Sequence, residues 1–110
     1  MNAWLLLSAA IGSEVAATTA LKASEGFTRL VPSVVVVVGY LASFGLLALV
    51  LRDLPVGIVY AVWSAVGTVG VALLGMVLFG ETMEPAKALG IALVVGGVAL
   101  LYSSSTAPTA

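Results

Sequence analysis

The sequence predicts an all-α membrane protein with four transmembrane helices. Of its 110 residues, 62% are hydrophobic and only 8% are charged, whereas a soluble domain carries about 25% charged residues. The few charges, 4 basic and 5 acidic, cannot cover the surface of a soluble domain, so most of the apolar surface must face lipid. Four long apolar stretches, each close to the roughly 20 residues that span a bilayer, give the number of helices.

The same composition excludes several classes of function. The net charge is -1 and no basic cluster is present, so nucleic acid is not an expected partner. The chain has no Cys and no His, which excludes disulfides, Cys/His metal sites and catalysis by Ser/His or Cys/His pairs. We therefore expect no metal ion, no cofactor and no enzymatic activity.

The first two helices are predicted over residues 3–21 and 33–51. A secretory signal is an alternative for the first, but that segment lacks a basic beginning and holds a carboxylate, Glu14, within its apolar part. The β-branched run Val34–Val38 in the second could belong to a buried strand. Its apolar segment is far longer than a strand, which favours a helix.

The third and fourth helices are predicted over residues 58–79 and 86–102, the fourth starting next to Pro85, a residue suited to a first helical turn. The three segments between the helices contain the turn-forming glycines and prolines and nearly all of the charges. The tail, residues 103–110, is small and polar, and we expect a frayed end. Residues 1–110 are thus predicted to form a single transmembrane domain.

Glu14 is the one charged residue in the interior of an apolar span. It lies about 17 Å from one face of a hydrocarbon core about 30 Å thick, at a rise of about 1.5 Å per residue. An ionisable group at this depth usually marks an ion or substrate pathway. The four apolar stretches contain no Lys, Arg or His, so the expected partner of Glu14 is a proton, a bound cation or water. The alternative is a permanently protonated Glu that hydrogen-bonds between helices.

The residues nearest Glu14 on its helix are small or hydroxylic, namely Ala10, Ala17 and Thr18. Small residues permit close contact between helices, and they equally leave room for a ligand beside a carboxylate. The sequence leaves both interpretations open.

Aromatic residues in the middle of spans give a second signal. Tyr40 and Phe44 are one turn apart in the second helix, and Tyr60 and Trp63 are three residues apart in the third. Tyr and Trp rings attract cations, most strongly where water is excluded. A carboxylate with aromatic walls would suit a hydrophobic organic cation, whereas the alternative for these rings is ordinary helix packing.

Glycines distinguish the third and fourth helices. Gly67 lies in the middle of the third helix, where it provides a point at which the helix could bend. Gly90 and Gly97 are seven residues apart and share one face of the fourth helix. That face is predicted to pack closely against another helix, either within the chain or in a dimer.

Taken together, these positions resemble the small multidrug resistance family of bacterial proton-coupled exporters, over nearly the whole chain. The matching segments are Glu14-Val15, Thr18-Thr19, Leu21-Lys22, the loop from Ser24 to Ser33, Tyr60-Ala61-Val62-Trp63-Ser64, Gly90 and Gly97. The resemblance implies an antiparallel homodimer in which the two copies of Glu14 alternately hold protons or a cationic drug. It also implies a substrate pocket shaped by Tyr40, Tyr60 and Trp63, and a dimer contact at Gly90 and Gly97.

The chain departs from the family pattern at four positions. The guanidinium-exporting branch typically has Trp where this chain has Ala17, which favours the quaternary ammonium branch. Ala65 replaces a Gly that is frequent in multidrug members, so a bend near Gly67 would be stiffer. Gly45 and Trp4 also differ from the residues common in some members, which affects the expected range of substrates.

The sequence therefore predicts a multi-pass protein of the bacterial inner membrane that exchanges protons for hydrophobic or quaternary cations. A second copy is expected as a partner, because four helices are too few to enclose a drug-sized cavity of several hundred Å³. The alternatives are a guanidinium exporter of the same family, a non-transporting membrane assembly subunit and a holin-like pore. The last usually ends in a charged tail, and residues 103–110 are uncharged.

Overall fold

The computed structural model describes residues 2–104, and this part of the chain contains four helices and no strand. The helices are α1 (Ala3–Ala23), α2 (Leu30–Val50), α3 (Val56–Phe79) and α4 (Pro85–Ser104). Each is long and apolar enough to cross a membrane. The predicted all-α fold with four spans is confirmed. The part of the predicted frayed end beyond Ser104 lies outside the described residues.

The helices begin and end within a few residues of the predicted positions. The largest difference is in α2, which begins at Leu30 and not at residue 33, so that Pro32 lies inside its first turn. A proline is tolerated there because the first N–H groups of a helix have no partner within the helix. Similarly, α3 begins at Val56, directly after Pro55. Both helices thus begin before the predicted residue, because Pro32 and Gly57, which are typical of loops, lie here in the first turn of a helix.

The loop between α1 and α2 is organised by Ser24, which is fully buried. The Ser24 hydroxyl oxygen accepts a hydrogen bond from the Phe27 N–H at 3.1 Å. The Ser24 carbonyl oxygen accepts one from the Thr28 N–H at 2.9 Å. Three consecutive residues of this loop adopt left-handed backbone angles: Glu25, Gly26 and Phe27. Side chains other than glycine rarely adopt these angles, so the Ser24 hydrogen bonds hold the turn that directs α2 back along α1.

The chain divides into two compact units, Met1–Leu54 with α1 and α2, and Pro55–Ala110 with α3 and α4. In the first unit, α1 and α2 pack against each other extensively; in the second, the contact between α3 and α4 is less extensive. The single transmembrane domain expected over residues 1–110 stays a prediction.

The exterior of the helices is apolar. Leu, Val and aromatic side chains are exposed on all four helices, as expected for surfaces that face lipid. In α4, from Pro85 to Ser104, no residue is buried. A Cβ atom added at Gly90 or Gly97 would meet no atom within 4 Å. The glycine face of α4 is thus not used for packing within the second unit, and its predicted role in a dimer stays a prediction.

Candidate functional site

Glu14 lies in the middle of α1, on the face that packs into the first unit. Its neighbours one and two turns away on that face are buried: Leu7, Ala10, Ile11 and Ala17. Glu14 itself is half-buried. The carboxylate therefore lies at the edge of the packed face, partly protected and still accessible.

A hydrogen-bonded chain connects Glu14 to α2. The Thr18 hydroxyl donates to Glu14 Oε1 at 3.0 Å. The same Thr18 oxygen lies 2.7 Å from the Tyr40 hydroxyl oxygen, across the contact between the two helices. The structure thus brings together three of the predicted site residues, Glu14, Thr18 and Tyr40.

Thr18 differs from the other hydroxyl residues of α1. Ser8, Ser13 and Thr19 each donate to the carbonyl oxygen four residues earlier, at 2.8–2.9 Å. This is the usual arrangement of Ser and Thr within helices. The Thr18 hydroxyl is instead directed at two side chains, so it is available to the site.

Two small residues allow the helices to approach at this point. A Cβ atom added at Gly39 would lie 2.8 Å from the Ala17 Cβ and 3.1 Å from the Ser13 carbonyl oxygen. Ala17 therefore packs against the backbone of α2 at Gly39. The next residue of α2, Tyr40, is the one whose hydroxyl contacts Thr18. Of the two interpretations that the sequence left open for the small neighbours of Glu14, close helix contact holds for Ala17. Ala10 is fully buried as well, and the role of both residues in a substrate pocket stays a prediction.

The surroundings of Glu14 in this unit contain no basic side chain at its depth. Helix α2 has no Lys, Arg or His between Leu30 and Val50. On α1 the basic residue is Lys22, eight residues away, which corresponds to about 12 Å along the helix axis. In this unit the Thr18 hydroxyl hydrogen-bonds the carboxylate, which offers an attractive position to a proton or an added cation.

An aromatic pair extends from the Thr18 hydrogen bonds along α2. The rings of Tyr40 and Phe44 are stacked, with centroids 6.3 Å apart and planes at 19°. Phe44 is exposed. The pair continues along α2 from the Tyr40 hydroxyl, which Thr18 links to the carboxylate, and aromatic rings of this kind attract cations.

The remaining predicted residues lie on α3 and α4, in the second unit. Tyr60 is 73% exposed, and Trp63 is half-buried. Gly67 is buried, and α3 runs through it as one continuous helix. The assignment of Tyr60 and Trp63 to the pocket, and of Gly67 to a hinge, stays a prediction.

An open cleft of about 370 Å³ lies elsewhere in the first unit, lined by Leu6, Leu49, Arg52 and Asp53. It shares no residue with the hydrogen-bonded chain from Glu14 to Tyr40. We therefore assign it no part in the site.

Two residues of the site were missed in the sequence. Gly39 brings the helices together, and the buried Ser43 hydroxyl donates to the Tyr40 carbonyl oxygen at 3.1 Å. The signal for Gly39 was present, since it is a lone glycine after a run of valines, and a small residue in an apolar helix permits close approach of a neighbouring helix. Ser43 has no comparable signal.

Comparisons with known proteins identify the family of the chain. The sequence model of the family described as Small Multidrug Resistance protein matches residues 2–94. The chain is 47% identical over 107 residues to a multidrug transporter of Pseudomonas aeruginosa, and the alignment covers 97% of both chains. A quaternary ammonium compound-resistance protein of Escherichia coli is also 47% identical, with 97% of both chains covered.

A guanidinium exporter of Citrobacter freundii is 41% identical over 95 residues, which is 86% of this chain and 90% of the relative. These relatives are transporters and resistance proteins, so transport is the class of function and catalysis is not. The family model covers all of α1, α2 and α3 and the first half of α4. With this match and with four helices that can cross a membrane, the chain belongs to the small multidrug resistance family of multi-pass membrane transporters.

Proposed function

We propose that this chain exports hydrophobic and quaternary organic cations in exchange for protons, and that Glu14 binds both. The observation that carries the proposal is the position of Glu14: half-buried in the middle of α1, hydrogen-bonded by Thr18, and without a basic side chain at its depth on α1 or α2. The printed name of the E. coli relative, a quaternary ammonium compound-resistance protein, supports this class of cation.

Exchange follows from the competition of two ligands for one carboxylate. A protonated Glu14 is neutral and attracts an organic cation only weakly, whereas an ionised Glu14 attracts it strongly in a medium of low dielectric constant. A bound cation, in turn, makes it unfavourable to add a proton. On either side of the membrane, the site can therefore bind a proton only after the cation has left, and a cation only after the proton has left.

Aromatic rings supply the selectivity for hydrophobic cations. Tyr40 and Phe44 form a stacked pair that the Tyr40 hydroxyl connects through Thr18 to Glu14, and we assign Tyr60 and Trp63 to the same pocket. The rings attract positive charge and bury the apolar part of the substrate. Small, strongly hydrated cations would gain little from such walls, so lipophilic cations are favoured.

The functional unit that we propose is an antiparallel homodimer. One chain of four helices is too small to enclose a drug-sized cavity, and a second copy would bring a second Glu14 to the membrane interior. The face of α4 with Gly90 and Gly97 is open within the second unit and is suited to close contact between two copies. Two alternating conformations of the dimer, with a bend at Gly67, would expose the site to each side in turn.

Guanidinium export is the second candidate, supported by the 41% identity to the guanidinium exporter. At Ala17 this chain has a methyl group that packs against Gly39, so the position offers no ring to stack on a small planar cation. We therefore place quaternary cations first. A non-transporting assembly subunit has no comparable support.

Transport by purified protein in vesicles tests the proposal. A proton gradient should drive uptake of methyl viologen by the wild type, and Glu14→Gln should abolish it, because an amide cannot release a proton or balance a cation. Guanidinium should compete only weakly. Export that survives in Glu14→Gln would overturn the proposal, and preferential uptake of guanidinium would replace it with the second candidate.

A further inference from the structure

We propose that Thr18 is a positioning residue that transmits the charge state of Glu14 to Tyr40, so that the Tyr40 hydroxyl reverses its hydrogen-bond direction when Glu14 binds a proton. This inference rests on the proposed function, in that Glu14 is taken as the proton site. It adds a second element to the exchange, a tyrosine whose affinity for cations changes with the charge on the carboxylate.

The direction of the two hydrogen bonds, from Tyr40 to Thr18 and from Thr18 to Glu14, follows from counting hydrogen atoms. An ionised carboxylate can only accept, so at 3.0 Å the Thr18 hydroxyl must donate to Glu14 Oε1. A hydroxyl group has one hydrogen atom, and this contact uses it. The 2.7 Å contact between Thr18 and Tyr40 then requires the Tyr40 hydroxyl to donate to the Thr18 oxygen.

Proton binding reverses both hydrogen bonds. A proton added to Oε1 forms an O–H bond, which donates to the Thr18 oxygen. The Thr18 hydroxyl then rotates and donates to Tyr40, and the Tyr40 hydrogen turns away from Thr18. One proton is gained by Glu14, and no covalent bond of Thr18 or Tyr40 breaks.

This reversal alters what a cation meets at Tyr40. While Glu14 is ionised, the Tyr40 hydrogen points along the chain towards the carboxylate, and each hydrogen bond strengthens the next. The phenol oxygen and ring are then electron-rich, which favours a cation. When Glu14 is protonated, the Tyr40 oxygen accepts a hydrogen bond and its own hydrogen is free to point at the substrate. Tyr40 thus favours the cation in the same state as Glu14 does.

Few other titratable or charged groups lie on the two helices that surround Glu14 in this unit. Helix α2 contains no Asp, Glu, Lys, Arg or His from Leu30 to Val50, and Tyr40 is its one titratable side chain. On α1 itself the other titratable residue is Lys22, about 12 Å along the axis. Within this unit, the Thr18 hydroxyl is the group that joins the carboxylate to the phenol.

Infrared difference spectroscopy tests the reversal directly. The protein, with isotope-labelled tyrosine rings and in lipid nanodiscs, is taken through a pH change, and the carboxyl band and the tyrosine C–O band are recorded. In the wild type both bands should change, and Tyr40→Phe should remove the tyrosine change. Thr18→Val, which keeps the shape without the hydroxyl, should keep the carboxyl change and lose the tyrosine change, while Thr18→Ser should restore it.

Thr19→Val is the matched control, because the Thr19 hydroxyl donates to the Val15 carbonyl oxygen at 2.8 Å and does not take part in the chain. It should leave both band changes as in the wild type. A tyrosine change that persists in Thr18→Val would overturn the role of Thr18, and so would its absence in a wild type whose carboxyl band changes. A wild type without any Glu14-dependent carboxyl change would instead contradict the proposed function.

Binding of tetraphenylphosphonium provides a second measurement, at a pH where Glu14 is ionised. Thr18→Val and Tyr40→Phe should each weaken binding by about 3- to 10-fold, the range expected for one hydrogen bond. The double variant should bind the cation no more weakly than the single variant with the lower affinity, since both changes break the same series of hydrogen bonds. If the fold-losses in affinity of the two single variants multiply in the double variant, Thr18 and Tyr40 act independently, and the proposed hydrogen-bonded connection between them is contradicted.

Discussion

The hydroxyl oxygens of Thr18 and Tyr40 lie 2.7 Å apart across the contact between α1 and α2. The contact depends on small residues one position away in each helix, because a Cβ atom at Gly39 would lie 2.8 Å from the Ala17 Cβ. Any substitution that separates the helices here should therefore also separate the two hydroxyl groups. The first prediction uses this relationship.

Gly39→Ala should destabilise the first unit and weaken cation binding. The added methyl group overlaps Ala17 Cβ and approaches the Ser13 carbonyl oxygen at 3.1 Å, and overpacking of this kind costs about 1 to 3 kcal/mol. Thermal unfolding in detergent and the affinity for tetraphenylphosphonium are the measurements.

Gly45→Ala is the control for this prediction, because a Cβ atom at Gly45, on the same helix, would meet no atom within 4 Å. It should be as stable as the wild type or slightly more stable, since Ala favours helices over Gly. Equal stability of Gly39→Ala and Gly45→Ala would show that the close approach at Ala17 is not needed.

Trp63→Ala should weaken the binding of aromatic cations by about 1 to 2 kcal/mol, because a cation–π contact is lost. Assembly should be unaffected, which size-exclusion chromatography would verify. Binding that is equally strong in Trp63→Ala would assign Trp63 to helix packing.

Gly97→Leu should lower the dimer content in detergent, because a bulky side chain prevents close contact of two α4 helices. The fold of one chain should not suffer, since a Cβ atom at Gly97 would meet no atom within 4 Å. Gly96→Leu places the same side chain about 100° further around the helix and should have a smaller effect. Crosslinking in membranes measures both, and a dimer of wild-type stability in Gly97→Leu would place the contact elsewhere.

The orientation of the chain in the membrane should be mixed. Three basic residues, Lys22, Arg29 and Lys87, lie in the first and third loops or in the helical turns next to them. One basic residue, Arg52, lies in the second loop. This is a weak bias, and Lys and Arg in loops determine orientation. An inverted copy would keep Glu14 close to the middle of the membrane, about 13 Å instead of about 17 Å from the same face.

Single cysteines at Thr82 and Ser104, at the two ends of α4 and both exposed, can be labelled with an impermeant thiol reagent in intact cells. Partial labelling at both positions would support mixed insertion. Complete labelling at one position and none at the other would contradict it. Moving one or two Lys between loops should then fix the orientation.

The features that could be predicted from the sequence are those that depend only on residues close to one another along a single helix. Four apolar stretches predicted the four helices, and the spacing of Glu14 and Thr18, four residues apart, placed both on one face of α1. The start of α2 was predicted too late because Pro32 is compatible with a first helical turn as well as with a loop.

Contacts between helices could not be predicted in the same way. The pairing of Thr18 with Tyr40 depends on how far α2 slides along α1, and this is determined by Gly39 and by the loop that Ser24 holds. The role of Ala17 was ambiguous for the same reason, since a small residue is compatible with a pocket as well as with a helix contact.

Proton release on substrate binding tests the central claim, that Glu14 holds a proton or a cation but not both. Purified protein is placed in weakly buffered solution at a series of starting pH values, and tetraphenylphosphonium is added at each while the pH is recorded. The wild type should release protons on binding. The release should decline at higher pH, where the carboxylate is already ionised, while the affinity for the cation should rise. Glu14→Gln should release none. Binding to the wild type without proton release, or an equal release from Glu14→Gln, would contradict this account.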